Sequence, residues 1–424
     1  MIEDLLFRLP QSTIRMGLDR IEGACAALGT PQGRYPSAIV AGTNGKGSTC
    51  AFLAAILEAA GLRVGLYTSP HLVSFRERIR IGGEPISSDA LERAGARLLQ
   101  EWPAFGRPGD PEGLTYFEAA TALAFEAFAA AGVDVALLEV GLGGRLDATN
   151  VSGKRLVAAV LTRVGIDHTE YLGKTLAAIA KEKAAVARPG VPLVVAPQQL
   201  EALAAIRAHA EGIGAPVVEP PALAGSGGAL SYRGPGAPLE GIRLGLRGIH
   251  QRENAAVALA AARVIGEGLP GDRIEAAIPI GLESARWPGR MEVVSEDPLI
   301  VLDGAHNPDG AVALAASFAS CWPGVRPQLV FGVLGDKDRL PMMRALFPLA
   351  AGVHLCAPPS PRAVPPEAVA EEARRDGLGG IPIERCEDVG SAVRAARVAA
   401  GRDGAVLICG SLYLVGAARA ILRP

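Results

Sequence analysis

Aromatic side chains are scarce in this chain: 4% of its 424 residues are Phe, Trp or Tyr, although 49% are hydrophobic. Much of the apolar content is alanine, so little ring surface is left for stacking. Excess charge of either sign is also missing. A net charge of -2 excludes the electrostatic footprint that nucleic acid or an anionic membrane would require. Cysteine is sparse and dispersed, at positions 25, 50, 321, 356, 386 and 409 with no C-x-x-C pair, a spacing that fits neither a zinc knuckle nor a disulfide framework. No cationic stretch followed by an apolar one opens the sequence. Its longest charge-free runs, such as Gly310 to Val325, fall short of a membrane span and carry Pro or Gly. These absences lead to an expectation of a soluble, cytoplasmic monomer whose partners are small molecules. At 424 residues it exceeds what one hydrophobic core usually serves, so two domains are expected.

What is present is a regular alternation of short apolar runs with helical patterns. "SAIVAG" (37–42), "VDVALLEV" (133–140), "LVAAVLT" (156–162) and "VPLVVA" (191–196) read as buried strands with helix-like segments between them, the pattern of a mostly parallel sheet covered on both faces. Residues 225–248 are turn-rich and short-stranded, and "WPGRMEVVSEDP" (287–298) reads as a hinge. Alternation then restarts with "LIVLD", "QLVFGV", "VHLCA", "IERC" and "AVLICG". The expectation is α/β throughout: a larger domain on a mostly parallel sheet over 1–294 and a smaller Rossmann-like domain over 295–424.

The unusual polar residues fall at the carboxyl ends of these runs, where open α/β sheets bind ligands. "AGTNGKGSTC" (41–50) departs from the common phosphate-loop signature, because Gly47 separates Lys46 from Ser48. Glycines at 42, 45 and 47 would let backbone N–H groups approach phosphates, with Thr43 and Asn44 between them. Lys46 and the helix N-terminus add positive charge, and Ser48 or Thr49 can reach a magnesium ion. The alternative is a glycine-rich turn with an incidental lysine. Glu139 at a strand end is either a solvated or capping carboxylate or a magnesium ligand. His168 is a turn histidine or a metal or phosphate contact, whereas His209 and His354 read as surface or packing residues. Lys183 continues the apolar stripe Leu176, Ile179, Ala180 toward Val186. A lysine on such a face must pair, snorkel or lose its proton.

"AGTNGKGST", "TSPHL" with "ERIRI", "LTYFE", "EVGLGGRLDATN", "GIDHTEYLG", "IAKEKA", "GIHQRENAAVALA", "PGRME", "LDGAHNP" and "CGSLYLVG" follow one another from residue 41 to 416. In that order they resemble the folylpolyglutamate synthases of the Mur-ligase-like superfamily, and most of all the bifunctional bacterial branch that is also a dihydrofolate synthase. The loop is then a variant of the ATP site rather than a decayed one, and the resemblance makes the larger domain a P-loop-type ATP-binding domain. The resemblance implies ATP bound by residues 42–48 and contacted by Asn254, Arg290 and Asp303. It implies two magnesium ions, served by Ser48 and by Ser69, Glu139 and His168. His306 and Ser411 match positions important for turnover, with Lys46 and with Lys183 as a carbamate formed from CO2. Thr115, Phe117, Leu146, Asp147 and Ala148 match a pterin subsite. The implied reaction joins L-glutamate to dihydropteroate or to folates through an acyl phosphate. A peptidoglycan Mur ligase shares this chemistry but usually carries a further domain ahead of the loop, and a nucleotide-dependent switch would not require Lys183, His306 and Ser411.

Overall fold

The computed structural model describes residues 2–9, 15–107, 110, 112–151, 155–226, 229–267 and 273–423. The chain divides into two compact units: Met1–Gly245 with Arg252–Ala285, and Leu246–Gln251 with Arg286–Pro424.

In the first unit β1 (Ser37–Ala41), β2 (Val64–Tyr67), β3 (Ile79–Ile81), β4 (Glu84–Pro85), β5 (Val135–Glu139), β6 (Leu156–Leu161), β7 (Leu193–Val195) and β8 (Val217–Val218) form one sheet. Its order is β4-β3-β2-β5-β1-β6-β7-β8. All pairings from β2 to β8 are parallel, and only β3 and β4 run antiparallel at one edge. β1, β2 and β5 are buried at every position, which explains why they read as continuous apolar runs rather than alternating ones. Helix Tyr116–Ala131 is buried on nearly every side. Helix Lys46–Ala59 packs on helix Arg273–Ser284. Gly281 permits that approach, since a Cβ there would lie 2.4 Å from the backbone nitrogen of Ile56. The turn-rich stretch carries β9 (Ala224–Ser226), β10 (Ala229–Tyr232) and β11 (Leu239–Ile242), an antiparallel sheet of its own.

The second unit holds β12 (Glu292–Glu296), β13 (Leu299–Leu302), β14 (Gln328–Phe331), β15 (Gly352–Leu355), β16 (Ile383–Arg385) and β17 (Ala405–Cys409), in the order β12-β13-β17-β14-β15-β16. The segment read as a hinge therefore contributes a strand. Its "EVVSE" pairs antiparallel with β13, and ladder hydrogen bonds outweigh the flanking prolines and mixed charge that suggested a linker. Among the described residues no helix is long and apolar enough to cross a membrane.

Candidate active site

Because β1, β2, β5 and β6 are parallel neighbours, their carboxyl ends, and the segments after them, reach the same sheet edge. After β1 the chain turns through Gly42 (φ +149°) and Gly45 (φ +93°) into helix Lys46–Ala59. Neither glycine has room for a side chain: a Cβ on Gly42 would fall 1.9 Å from Thr162 Oγ1, and one on Gly45 2.3 Å from Asn254 Oδ1. Asn254 is thus packed on the loop it was expected to serve. The N–H groups of Thr43 and Asn44 both donate to the carbonyl of Arg163, at 2.9 and 3.2 Å. Thr43 Oγ1 lies 3.0 Å from both the carbonyl oxygen and the nitrogen of Gly165. The first N–H groups of the helix, by contrast, have no intrahelical acceptor and sit at the positive end of its dipole.

Two lysines converge behind the loop. Lys46 Nζ donates to the carbonyls of Gly42 and Thr43, at 3.2 and 3.3 Å. Lys183 Nζ donates to the same Gly42 carbonyl at 2.9 Å. Lys183 is 5% exposed. Burial, and then the neighbouring Lys46, push its pKa down to about 7, while Asp167 and Asp147 pull it up. The stripe read from the sequence is borne out as a buried face, with Leu176, Ile179, Ala180 and Lys183 all inward.

At the end of β5, the buried Glu139 accepts the N–H of Ser69 at 3.0 Å, so these two expected metal residues are adjacent. Ser48 is buried in the first turn of the loop's helix. His168 is exposed, with left-handed backbone (φ +53°), and its Nε2 stands 3.9 Å from Asp167 Oδ2. Hydroxyl and carboxylate oxygens are the hard donors that suit magnesium. Glu77 organises the neighbouring segment by accepting the N–H groups of Leu72, Val73 and Ser74. Arg78 donates to His71 Nδ1 at 2.8 Å. Burial, with Arg78 second, pushes His71 down to about 4, so it is neutral at physiological pH.

The expected pterin residues lie close to one another, and two of them already have internal work. Thr115 caps helix Tyr116–Ala131 in a reciprocal box with Glu118, and Glu118 is also paired with Arg20 at 2.7 Å. The T-x-x-E signature of such a box stands in "LTYFE", where the sequence reading missed it. Asp147 is buried and accepts from Gly141 N, Leu142 N, Thr149 N and Thr149 Oγ1, which folds residues 141–149 around one carboxylate. Leu146 is half-buried and Ala148 buried in that same loop. Phe117 is only half-buried although Tyr116 and Glu118 on either side are buried. Its ring lies 5.9 Å from that of Tyr67.

In the second unit β13 and β17 are parallel neighbours, which brings Asp303 and Ser411 to one edge. Asp303 accepts the N–H groups of Met291 and Ala305, at 2.9 and 2.8 Å. Arg290 lies over Gly304, where a Cβ would meet its Nη1 at 2.1 Å. His306 Nδ1 is 2.8 Å from the Gly304 carbonyl, and the buried Ser411 hydroxyl caps helix Leu412–Leu422.

With this geometry in place, likeness to known proteins is informative. Residues 40–219 match the family described as Mur ligase middle domain, and residues 289–412 match Mur ligase, glutamate ligase domain. The Dihydrofolate synthase/folylpolyglutamate synthase of Bacillus subtilis is 36% identical over 424 residues, covering 97% of this chain and 96% of that one. The chain belongs to the folylpolyglutamate synthase family of Mur-type ligases. A family member from Haloferax volcanii, a probable bifunctional folylpolyglutamate synthase/dihydropteroate synthase, is 39% identical over 98% of this chain. The chain spans 49% of that relative, about half its length. Folylpolyglutamate synthase from Mycobacterium tuberculosis, solved with ADP and AMPPCP, superposes with a TM-score of 0.88 at 35% identity, covering 100% of this chain and 98% of that one. The Escherichia coli FolC solved with DHPP and ADP gives 0.87 at 34% identity, over 99% and 96% of the two chains. The fold is that of the family: two α/β units, the larger on a mostly parallel sheet and the smaller on a mixed one.

Proposed function

We propose that this chain is an ATP-dependent ligase that adds L-glutamate to dihydropteroate and to folates already carrying glutamate. The observation that carries the reading is the pair of lysines on the Gly42 carbonyl, behind a glycine loop that opens onto a helix N-terminus. It occurs in a chain that superposes along its whole length on a synthase solved with nucleotide.

A carboxylate does not react with an amine unaided, so the reaction needs two displacements. An oxygen of the acceptor carboxylate attacks the γ-phosphorus of ATP, and the bond to ADP breaks. The glutamate nitrogen then attacks the acyl carbon, phosphate leaves, and the ammonium proton passes to solvent. Gly42, Thr43, Asn44, Gly45, Lys46, Gly47 and Ser48 would position the phosphates, with Lys46 countering the charge that develops. Asn254, Arg290 and Asp303 would contact the nucleotide, and His306 and Ser411 would support turnover. Ser48, Ser69, Glu139 and His168 would hold two magnesium ions, whose contribution is to neutralise and orient phosphate oxygens. Lys183 with a pKa of about 7 has a large neutral fraction at physiological pH. Its nitrogen would add to CO2 with loss of a proton, giving a carbamate anion beside the loop. In this reading the first unit forms the ATP-binding part and the second the ligase part, with the boundary expected at 294/295 moved to 285/286 because β12 belongs whole to the second sheet, and the protein works as a cytoplasmic monomer.

The test is phosphate release from ATP. A synthetase requires both glutamate and a pteroate or folate. Release that ignores either one identifies a nucleotide-dependent switch instead.

A further inference from the structure

β15 and the edge strand β16 set four metal-binding side chains in register. His354 stands directly opposite Glu384. Cys386, two residues after Glu384, extends the ladder by donating its N–H to the Leu355 carbonyl at 2.8 Å. Cys356 stands in the same relation to His354, its N–H bonded to the Phe331 carbonyl at 3.2 Å. Residues two apart on a strand share a face, so His354, Cys356, Glu384 and Cys386 make a two-by-two patch. A ring nitrogen of His354, a carboxylate oxygen of Glu384 and Cys386 Sγ all lie within 4.8 Å of one another. The nearness of Cys386 and Asp388, after burial itself, also raises the Cys356 thiol to about 12.

Hydrogen bonds on both ring nitrogens fix the orientation of His354. Its Nδ1 is 3.0 Å from Glu384 Oε2 and its Nε2 is 3.2 Å from Gln328 Oε1. A neutral imidazole that donates Nδ1–H to the carboxylate accepts at Nε2 from the Gln328 amide turned to present its NH2. A cation shared by Nδ1 and the carboxylate would take the place of that proton, within the same cluster of ligand atoms. Gln328 then holds Nε2–H from outside, as outer partners of metal-bound histidines do. Access is provided as well: the Glu384 side chain is 58% exposed and Cys386 half-buried, above the buried His354 and Cys356.

We propose that this patch is a binding site for zinc or a cation of the same borderline class, with His354, Glu384 and Cys386 as ligands and solvent in the fourth position. Imidazole with thiolate selects zinc over magnesium, which separates this site from the oxygen donors of the first unit. The ligating thiol gives its proton to solvent on binding. The ion would tie β16, a strand of three residues at the sheet edge, to its neighbour. The spacing 354, 356, 384, 386 hides this from a sequence reading, because each pair is X-x-Cys and parallel pairing alone unites them.

The experiment uses the full chain, reduced, stripped with chelator and held in saturating magnesium. Titration with Zn2+ against a chromogenic chelator should give one tight equivalent per chain. Co2+ should give the near-ultraviolet charge-transfer absorption of a thiolate ligand. Cys386→Ser should abolish that absorption and weaken zinc by at least ~100-fold, and Gln328→Ala should weaken it by about 10-fold. Cys321→Ser, at an exposed cysteine elsewhere, should change neither. Zinc should also raise the melting temperature of the wild type and leave that of Cys386→Ser unmoved. Absence of a tight equivalent, a cobalt spectrum without thiolate absorption, or zinc affinity indifferent to Cys386→Ser would each overturn the proposal. So would a Cys356–Cys386 disulfide found by mass in the protein as purified.

Discussion

Lys46 and Lys183 share one acceptor: their ammonium nitrogens lie 3.2 and 2.9 Å from the carbonyl oxygen of Gly42. Two cations on one oxygen repel, and the buried one gives way. Lys183 is held near pH 7 first by burial and then by Lys46. Converting the Lys183 amine to a carbamate would relieve the same repulsion by putting an anion beside Lys46.

Lys183 carries the first prediction. Only the neutral amine combines with CO2, so reactivation of CO2-depleted enzyme at a fixed concentration of dissolved CO2 should be faster at pH 8 than at pH 6. Lys183→Ala should lose roughly 10²–10³ in kcat, with partial rescue by short carboxylic acids. The stability sign is fixed too. The folded pKa of about 7 lies below the ordinary 10.5, so the unfolded chain binds more protons between those values. Stability should therefore rise with pH across that window, and Lys183→Met should flatten the slope in denaturant titrations. Turnover at the wild-type level in Lys183→Ala would return this residue to a packing role.

Lys46→Ala should abolish synthetase activity while leaving the melting temperature almost unchanged. The side chain is half-buried over loop carbonyls and fills no core cavity. The loss should be on the order of 10²–10³. The variant should also move the Lys183 titration upward, since the second-largest influence lowering it is gone. Near-normal turnover in a well-folded Lys46→Ala protein would sink the phosphate-site assignment.

Gly45→Ala tests the loop's shape. The new Cβ meets Asn254 Oδ1 at 2.3 Å on a backbone with φ +93°, and strain of this kind costs about 1–3 kcal/mol. ATP affinity should fall by about 10-fold or more, each tenfold being about 1.4 kcal/mol. Gly33→Ala, where a Cβ meets nothing within 4 Å, is the matched control and should bind ATP normally.

Asp147→Asn should destabilise the first unit. One carboxylate now accepts four hydrogen bonds while buried, and an amide would turn an NH2 group toward two of those donors. Loss of about 2–4 kcal/mol is expected from breaking such a network, read as a lower denaturation midpoint with unchanged slope.

These residues mark what the sequence could and could not tell. Strand–loop–helix order around Gly42 was legible because glycine, lysine and hydroxyls follow an apolar run, and the inward face of Lys183 was legible from helical spacing. That Lys183 ends on Gly42 was not, because the contact joins segments 141 positions apart through strand order that local periodicity does not encode. Asp147 and Thr115 match a pterin subsite by resemblance alone. The hydrogen bonds of Asp147 to its loop were not legible, because those partners are set by the fold, whereas the Thr115 cap stood in its T-x-x-E spacing. The strand at 292–296 was hidden by its flanking prolines, and its pairing with β13 depends on a partner outside the local window.

The last prediction is that dihydropteroate is a substrate beside the folates, and that Phe117 is where its flat ring rests. Phe117 stays half-exposed on a helix whose neighbouring positions are buried. Gly141 makes room for the ring, since a Cβ there would lie 2.6 Å from it. Thr115 and Asp147, expected at the edge of the same ring, already serve a helix cap and their own loop, so the ring face gives the cleaner test. An aromatic contact of this kind contributes about 0.5–1.5 kcal/mol beyond the area it buries. Phe117→Ala should therefore raise KM for the pterin substrate by about 10-fold and leave KM for ATP unchanged. With ATP, L-glutamate and 7,8-dihydropteroate the wild type should yield dihydrofolate. Good activity on tetrahydrofolate with no product from dihydropteroate would make this a single-function folylpolyglutamate synthase, and a KM for ATP that rises in parallel in Phe117→Ala would assign the ring to the fold rather than to the pterin.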